Sequence, residues 1–322
     1  MIKVLNNLRG KIFWIVGGLL ILVLTGQIIY ISRDKFSLNK NQRVSGSKIT
    51  QGEKIALVSP PEKTFGAQDP QIASKSAILI DKSSFYILYK QNENLKIPIA
   101  STTKIMTALV VLENYREKLS DEVTITLPMI QVEGSDIELK YGEKISVENL
   151  LKGLLIMSGN DTAYALAYHF AGKDDFVLKM NEKARLLGLN NTQFNDPAGL
   201  DDNGFSTAKD LAVLGAYAMK NSKFKEIVQT PETEIYSTNG LIAHNLKSSN
   251  RMLREEEQYY YPFTVGIKTG FTNEAGHCLV AAAQKDNHEL ISVILNTSEN
   301  SITASAKESK KLLEWGFENW TW

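Results

Sequence analysis

Three short strings, in one chain order, most constrain how this sequence can fold. They are Ser101-Thr102-Thr103-Lys104, Ser158-Gly159-Asn160 and Lys268-Thr269-Gly270. Further copies of Ser-x-x-Lys and Ser-x-Asn occur in the chain, whereas Lys-Thr-Gly occurs once. The sequence around each string therefore decides which copies act together. A shared role requires a fold that brings three distant segments to one place.

The first string precedes an apolar helical stripe that includes Ile105, Met106 and Leu109. Because Lys104 follows Ser101 by three residues, the two side chains share one helix face, about one turn apart. Burial in so apolar a helix lowers the pKa of a lysine toward the free amine that a general base must be. Serine is also a preferred helix N-cap, so this string alone is compatible with a structural role.

The second and third strings lie at the ends of apolar segments. Ser158-Gly159-Asn160 separates two helical patterns, at 147–157 and 161–171, and is also compatible with a plain helix break. Lys268-Thr269-Gly270 ends an apolar strand, where glycine permits the close approach of an extended substrate. An exposed lysine at a surface strand end is the structural alternative. Because the three strings occur together, in order and each on the element that such a role needs, they favour one shared site over three separate structural roles.

Hydrophobic periodicity predicts a hairpin, then helices, then strands, then a last helix. The predicted hairpin strands are 77–81 and 85–89, further helices are 174–187, 207–221 and 304–319, and later strands are 263–268, 276–283 and 290–295. This order is typical of an α/β protein of the α+β type. We expect an antiparallel sheet made of sequence-distant strands, with a helical insertion between them.

Composition excludes several classes of protein. Lys+Arg and Asp+Glu each number 36, so the net charge is zero, and we expect no nucleic-acid partner. A single cysteine rules out an internal disulfide. The four histidines show no His-Glu-x-x-His or other close ligand spacing, which argues against a zinc hydrolase. We therefore expect no metal and no cofactor.

The amino terminus carries an uncharged, mostly apolar run at 12–31. About 20 helical residues reach roughly 30 Å, the thickness of a bilayer core, whereas the apolar region of a signal peptide is shorter. We predict an uncleaved single-pass anchor, with a cleaved signal as the alternative. Basic residues flank the run on both sides, so orientation rests on the short positive segment 1–11, which we place in the cytoplasm. A polar linker at 32–69 and a folded domain at 70–322 follow.

The region 70–319 resembles the serine D-alanyl-D-alanine carboxypeptidases, the low-molecular-mass penicillin-binding proteins. That family carries Ser-x-x-Lys, a Ser-x-Asn string and Lys-Thr-Gly. The likeness extends to the segments 195–201 (Asn-Asp-Pro-Ala-Gly-Leu-Asp), 206–212, 266–272, 275–280 and 310–317. The combination is specific, although each string by itself is not.

The resemblance implies a β-lactamase/penicillin-binding transpeptidase-like fold, with an antiparallel sheet flanked by helices and an all-helical lobe. It implies removal of the terminal D-alanine from peptidoglycan stem peptides through an acyl-serine, and inhibition by β-lactam antibiotics. Such a substrate lies outside the cell membrane, so the catalytic domain is expected to be extracytoplasmic. The implied catalytic residues are Ser101, Lys104 and Ser158, and the implied substrate-binding residues are Asn160, Lys268, Thr269, Gly270 and Phe271. The N–H groups of Ser101 and Phe271 would form the oxyanion hole.

Two departures from the family and three rival functions stay open. Ala198 stands where many members carry histidine, which puts substrate contacts of that loop in question. The family often continues into a small β domain and an amphipathic anchor, and here the aromatic segment 312–320 is expected to pack on the sheet rather than on a membrane.

A D,D-endopeptidase would use the same residues. A β-lactamase is disfavoured because no Glu-x-x-Leu-Asn string resembles theirs, and a silent peptidoglycan-binding module because the acylation residues are all present.

Overall fold

A computed structural model describes residues 60–322 of the chain. The predicted anchor at 12–31 and the linker up to residue 59 lie outside the described residues. Within residues 60–322, no helix is both long and apolar enough to cross a bilayer.

Eleven strands and eight α-helices are found in this part of the chain. The strands are β1 (Glu62–Lys63), β2 (Ser74–Asp81), β3 (Ile87–Gln91), β4 (Glu122–Thr124), β5 (Lys144–Ser146), β6 (Glu232–Tyr236), β7 (Ala243–Lys247), β8 (Thr264–Thr272), β9 (Gly276–Lys285), β10 (His288–Thr297) and β11 (Trp320–Thr321). The helices are α1 (Lys104–Asn114), α2 (Leu127–Ile130), α3 (Val147–Lys152), α4 (Asn160–Phe170), α5 (Lys173–Leu186), α6 (Ala208–Ala218), α7 (Ser222–Val228) and α8 (Ala304–Asn319).

The central sheet has five antiparallel strands in the order β3-β2-β10-β9-β8. Strand β10 lies in the middle of the sheet, and its Val293 is opposite Ile78 of β2 on one side and opposite Val280 of β9 on the other. Strands β2 and β10, which are neighbours in the sheet, come from opposite ends of the described chain. The predicted antiparallel sheet of sequence-distant strands is therefore confirmed. The chain between β3 and β8 supplies α1 to α7 and forms the predicted helical lobe, which is not all-helical, because it also carries the strand pairs β4–β5 and β6–β7.

Both faces of the sheet are covered, which explains why its strands read as nearly continuous apolar runs. Side chains alternate between faces along a strand, so Ile78 and Ile80 of β2 join the core under α1 and the helical lobe. Leu79 points to the opposite face and joins a second apolar cluster with Leu312 and Leu313 of α8. Strand β8, which carries Lys268-Thr269-Gly270, thereby lies at the sheet edge against the helical lobe.

The folded region begins earlier than the sequence suggested. β1 pairs with β11, with Glu62 opposite Thr321, and Trp315 Nε1 donates to the carbonyl oxygen of Gln68 at 2.8 Å. The predicted boundary at residue 70 is therefore too late. The reason is that the partner of 60–69 is the far end of the chain, which local composition does not reveal. Trp315 and Trp320 are buried in the sheet-facing cluster, as expected for a packed helix rather than a membrane face.

Candidate active site

Ser101 lies in a tight 3₁₀ turn, Ala100–Thr103, that runs directly into α1. The turn is closed by Thr102, whose backbone N–H and hydroxyl both donate to the carbonyl oxygen of Ile99, at 3.2 and 2.8 Å. Neither the turn nor α1 has a side-chain cap. Ser101 therefore does not serve as the N-cap that the sequence alone allowed, and its hydroxyl instead bonds to Lys104.

Lys104 is completely buried one turn below Ser101. Its Nζ lies 2.7 Å from Ser101 Oγ, 2.7 Å from Asn160 Oδ1 and 2.8 Å from the carbonyl oxygen of Ala198. Burial lowers the pKa of Lys104 to about 7, although the carboxylates of Asp196 and Asp161 oppose that shift. The amine is thus placed to exist in its free form near neutral pH.

The partners of Lys104 determine where its lone pair points. Asn160 Oδ1 and the Ala198 carbonyl can only accept hydrogen bonds. A neutral amine has two N–H donors, and these two acceptors use both of them. The lone pair of the free amine is then directed at Ser101 Oγ, 2.7 Å away. In this state the serine hydroxyl donates and Lys104 accepts, which is the geometry a general base requires.

The second string connects a buried helix end to the site. A π-helical turn, Gly153–Met157, follows α3 and ends at Ser158, whose backbone is left-handed at φ +72°. Asn160 begins α4, and its side-chain N–H and backbone N–H donate to the carbonyl oxygens of Glu133 and Ser135, at 2.5 and 2.6 Å. These bonds fix the amide so that its oxygen faces Lys104. Ser158 is buried and lines the cleft.

The third string places a second lysine beneath the cleft. Lys268 is completely buried, and its Nζ donates to the carbonyl oxygen of Thr269 at 2.9 Å. Burial, and secondly the neighbouring Lys104, hold the pKa of Lys268 well below its ordinary value. Since Lys104 and Lys268 oppose each other's protonation, a charged Lys268 favours a neutral Lys104. The Thr269 hydroxyl reaches the cleft and donates to Ser249 Oγ at 2.7 Å.

Gly270 brings strand β8 against the serine turn. A Cβ at this position would lie 2.9 Å from the carbonyl oxygen of Ile99 and 3.0 Å from the backbone nitrogen of Ser101. No other residue fits there without moving that turn. Phe271 follows, half exposed, with its ring stacked on His277 at 4.4 Å between centroids.

A loop at 195–201, which the sequence analysis did not place in the site, completes the surroundings of Lys104. Asp196 is buried, and its carboxylate accepts from the backbone N–H groups of Ala198, Gly199 and Asp201 at 2.7, 2.7 and 2.8 Å. This ring of bonds orients the Ala198 carbonyl toward Lys104. The contact uses the main chain, so it does not depend on whether this position carries alanine or histidine. The sequence did carry a signal for this loop, because its Asp-Pro-Ala-Gly motif lies in one of the segments that resemble the family.

The cleft has a volume of about 640 Å³. Six of the eight predicted site residues line it, namely Ser101, Ser158, Asn160, Thr269, Gly270 and Phe271. The other two, Lys104 and Lys268, lie buried beneath its floor. Residues that sequence reasoning missed also line the cleft, among them Ser135, Leu200, Lys247, Ser249, Arg251 and Arg254. Three of these are cationic: Lys247 pairs with Glu256, and Arg251 and Arg254 share Glu257, which leaves one positive charge in excess for an anionic ligand.

Comparison with known proteins agrees with this geometry. A family model described as D-alanyl-D-alanine carboxypeptidase matches residues 63–299. The chain belongs to that family. It is 36% identical over 255 residues to the D-alanyl-D-alanine carboxypeptidase DacF of Bacillus subtilis, which covers 76% of this chain and 64% of that relative. It is also 34% identical over 266 residues to a D-alanyl-D-alanine endopeptidase of Pseudomonas aeruginosa, covering 80% of this chain and 83% of the relative.

The fold is similar to that of the Streptomyces K15 DD-transpeptidase. The crystal structure of that protein superposes with a TM-score of 0.72 at 32% sequence identity, covering 78% of this chain and 99% of the other. The predicted α/β penicillin-binding fold is therefore confirmed. The chain spans slightly less than two thirds of the length of the Bacillus relative.

Gly199→Ala tests how tightly the 195–201 loop packs on the serine turn. Gly199 has φ +80°, and a Cβ there would lie 1.9 Å from the carbonyl oxygen of Ala100. We expect the reaction of Ser101 with a fluorescent penicillin to slow by about 100-fold, because a displacement of about 1 Å at the nucleophile can cost that much. The measurement is the rate of covalent labelling of the full-length chain.

The matched control for this substitution is Gly188→Ala. Gly188 also has a positive φ, +72°, but a Cβ there meets no atom within 4 Å. Both variants therefore carry the same backbone strain, and only Gly199→Ala adds the clash. Labelling of Gly199→Ala at the control's rate would show that the loop does not set the position of Ser101.

Proposed function

We propose that this protein is a serine D-alanyl-D-alanine carboxypeptidase that removes the terminal D-alanine from peptidoglycan stem peptides. The observation that carries the proposal is Lys104, fully buried, with Nζ 2.7 Å from Ser101 Oγ and two acceptor-only partners. A serine beside a desolvated amine is the requirement for an acyl-serine mechanism that uses no histidine. The cationic cleft suits a peptide that ends in a carboxylate.

In the acylation step, Ser101 Oγ attacks the carbonyl carbon of the penultimate D-alanine while its proton passes to Lys104. The developing oxyanion would be held by the backbone N–H groups of Ser101 and Phe271. This assignment is supported by the close approach of β8 to the Ser101 nitrogen at Gly270. The C–N bond then breaks, and the leaving D-alanine nitrogen takes up a proton delivered from Lys104 through Ser158, whose hydroxyl lines the same cleft.

In the deacylation step, water attacks the ester carbonyl and loses a proton to Lys104. The Ser101–acyl bond breaks, and Ser101 Oγ recovers that proton. The shortened peptide leaves as a carboxylate, and the second proton of the water passes to solvent. Asn160 contributes by holding Lys104 through its Oδ1.

Recognition of the terminal carboxylate is assigned to the Lys268-Thr269 segment. Thr269 presents its hydroxyl to the cleft, while Lys268 lies buried directly behind it. An arriving carboxylate favours the ammonium form of Lys268, whose pKa is otherwise held low by burial. Arg251 and Arg254 on the same cleft share Glu257 as their ion-pair partner, so the wall keeps an excess of positive charge.

The rate of acylation by penicillin should depend on pH in a defined direction. Lys104 acts as a free amine, and its pKa lies at about 7 because of burial. We therefore expect the labelling rate to rise about tenfold per pH unit below that value and to rise no further above it. The measurement is the second-order rate constant of adduct formation between pH 5 and pH 9.

Two variants control that experiment. Ser101→Ala should abolish the adduct, and Lys104→Ala should remove both the rate and its pH dependence. Labelling that survives Ser101→Ala would refute the nucleophile. An adduct that disappears within seconds would point to a β-lactamase instead.

The substrate is tested by incubating the full-length chain with diacetyl-L-Lys-D-Ala-D-Ala and with cross-linked muropeptides. We expect release of D-alanine from the peptide, faster than cleavage of the cross-link, because the larger leaving group crowds the cleft. Lys268→Ala should lower kcat/KM more for the free carboxylate than for the corresponding amide, since a charge-assisted bond is lost. Equal losses would contradict the carboxylate role, and cleavage of the cross-link alone would make the protein an endopeptidase, as the Pseudomonas relative is named.

We also propose that segment 12–31 anchors the protein in the cell membrane, with residues 1–11 in the cytoplasm and the catalytic domain outside. The support is the length and apolarity of the segment together with a substrate that lies outside the cell. The full-length chain should stay in the membrane fraction after an alkaline wash, and its intact mass should include residue 1. Leu20→Arg combined with Leu24→Arg should release it, since each arginine costs about 2.5–3.5 kcal/mol at a helix centre. A mature mass that begins after residue 24 would show a cleaved signal.

A further inference from the structure

Glu143 and His244 form a buried ion pair at the edge of the helical lobe. His244 Nε2 lies 2.7 Å from Glu143 Oε1, and the two side chains are 4% and 0% exposed. The other ring nitrogen, Nδ1, lies 2.7 Å from the carbonyl oxygen of Ile137. The mechanism above uses neither residue. The pair joins strand β7 to the segment 131–143, which also reaches the active site.

The hydrogen-bond partners determine the protonation of this pair. The Ile137 carbonyl can only accept, so Nδ1 must carry a proton. Glu143 Oε2 accepts from the backbone N–H of Lys140 at 2.9 Å. A carboxylate at Nε2 then requires a second proton on the ring. A protonated Glu143 that donates to a neutral ring would make the same two bonds, but histidine is the stronger base of the two, so the pair is a carboxylate and an imidazolium.

The surroundings of His244 are consistent with that charge. The hydrogen bond to Glu143 is the main cause that raises the pKa of His244 above 6.5, and burial opposes it. The second carboxylate facing the ring is Asp161 at the start of α4, and on its own hairpin His244 lies opposite the apolar Ile235. Because the folded pKa is raised, the pair stabilises the fold fully below about 6.5 and loses this effect as pH rises through the folded value.

The segment between the pair and the cleft is held at both ends. Near the cleft, the carbonyl oxygens of Glu133 and Ser135 accept from the side chain and backbone of Asn160, at 2.5 and 2.6 Å. Further along, the backbone N–H groups of Ile137 and Leu139 donate to the Asp161 carboxylate, each at 3.1 Å. The carbonyl of the same Ile137 accepts from His244. The segment is therefore clamped between Asn160–Asp161 and the His244–Glu143 pair.

We propose that Glu143 and His244 are positioning residues for acyl transfer, which hold segment 133–139 so that Asn160 presents its oxygen to Lys104. The step to the chemistry is short, because Asn160 Oδ1 lies 2.7 Å from the Lys104 amine. If the segment shifts, the Asn160 amide loses the two carbonyl partners that orient it. Lys104 then loses an acceptor, and its lone pair is no longer directed at Ser101.

Packing alone does not account for the pair. Removing two charged groups from water is expensive, and a buried ion pair can often be replaced by apolar residues with little loss of stability. A site that only needed filling would not require an imidazolium bonded to a carbonyl and a carboxylate. The pair instead offers directional bonds that fix one position of the segment. The inference depends on the proposed function only where the acylation rate is the quantity measured.

The test compares penicillin acylation of the full-length chain across pH for the wild type, Glu143→Gln and His244→Gln. In the wild type we expect a decline at alkaline pH, above the rise due to Lys104, as His244 loses its proton. Glu143→Gln removes the carboxylate that raises the His244 pKa, so the decline should move to lower pH. His244→Gln should lower the acylation rate by about tenfold or more at pH values where the wild-type ring is protonated, with little change in the affinity of the non-covalent complex.

His169→Gln is the matched control. His169 is a half-buried histidine at the end of α4, with its ring edge-on to Phe170 at 4.7 Å, away from the clamped segment. It should leave both the rate and the pH profile unchanged. If both pair variants fold, as judged by thermal unfolding, and keep the wild-type rate and profile, the positioning role is refuted.

A measurement on the wild type keeps the proposal testable if the variants do not fold. With four histidines in the chain, ¹⁵N-labelled imidazole NMR can resolve His244. We expect both ring nitrogens protonated at pH 6, and the Asn160 side-chain amide resonance to titrate together with His244. A neutral ring at pH 6, or an Asn160 signal indifferent to that titration, would overturn the inference. Absence of any penicillin adduct would refute the proposed function instead and would leave the NMR test intact.

Discussion

The rest of the site depends on one interaction, the burial of the Lys104 amine among three oxygen atoms. These oxygens come from Ser101, Asn160 and Ala198, which lie on the 3₁₀ turn, on α4 and on a loop. Burial does two things at once. It lowers the pKa of the amine so that a base exists near neutral pH, and it fixes the lone pair because the two acceptor-only partners use both N–H groups. Each neighbouring element then has to be held in a fixed position relative to this lysine.

Three structural features fix these positions. Strand β8 lies against the serine turn because Gly270 has no side chain, and Gly199 allows the 195–201 loop to do the same from the other side. The buried Asp196 carboxylate holds the loop through three backbone N–H groups, so the Ala198 carbonyl cannot turn away. The segment 133–139 holds Asn160 and is itself tied to Asp161 and His244. The polar contacts that hold the 195–201 loop and Asn160 are thus made to main-chain groups, which have fewer conformations than side chains.

Much of the fold was predictable from local pattern. The last helix was predicted at 304–319 and is found as α8, Ala304–Asn319, because its apolar face repeats with the helical period. The strands of the central sheet were located from their apolar runs. The small pairs β4–β5 and β6–β7 were missed, since strands of three to five residues carry too little periodicity to be distinguished from loops. The domain start was placed too late because β1 pairs with β11 from the far end of the chain.

By itself, the sequence determined that Ser101 and Lys104 share one face and that Ser158-Gly159-Asn160 separates two helices, because spacing, helix breaks and glycine act locally along the chain. It placed Lys268 at the end of a strand, which is wrong, since Lys268 lies in the middle of β8. Only the tertiary structure decided that Lys268 is buried behind Thr269 rather than exposed at the surface. It alone decided that Lys104 bonds to Ala198, 94 residues away, and that His244 meets Glu143, 101 residues away. Such contacts depend on how the elements pack around a common core, and no local pattern encodes that distance.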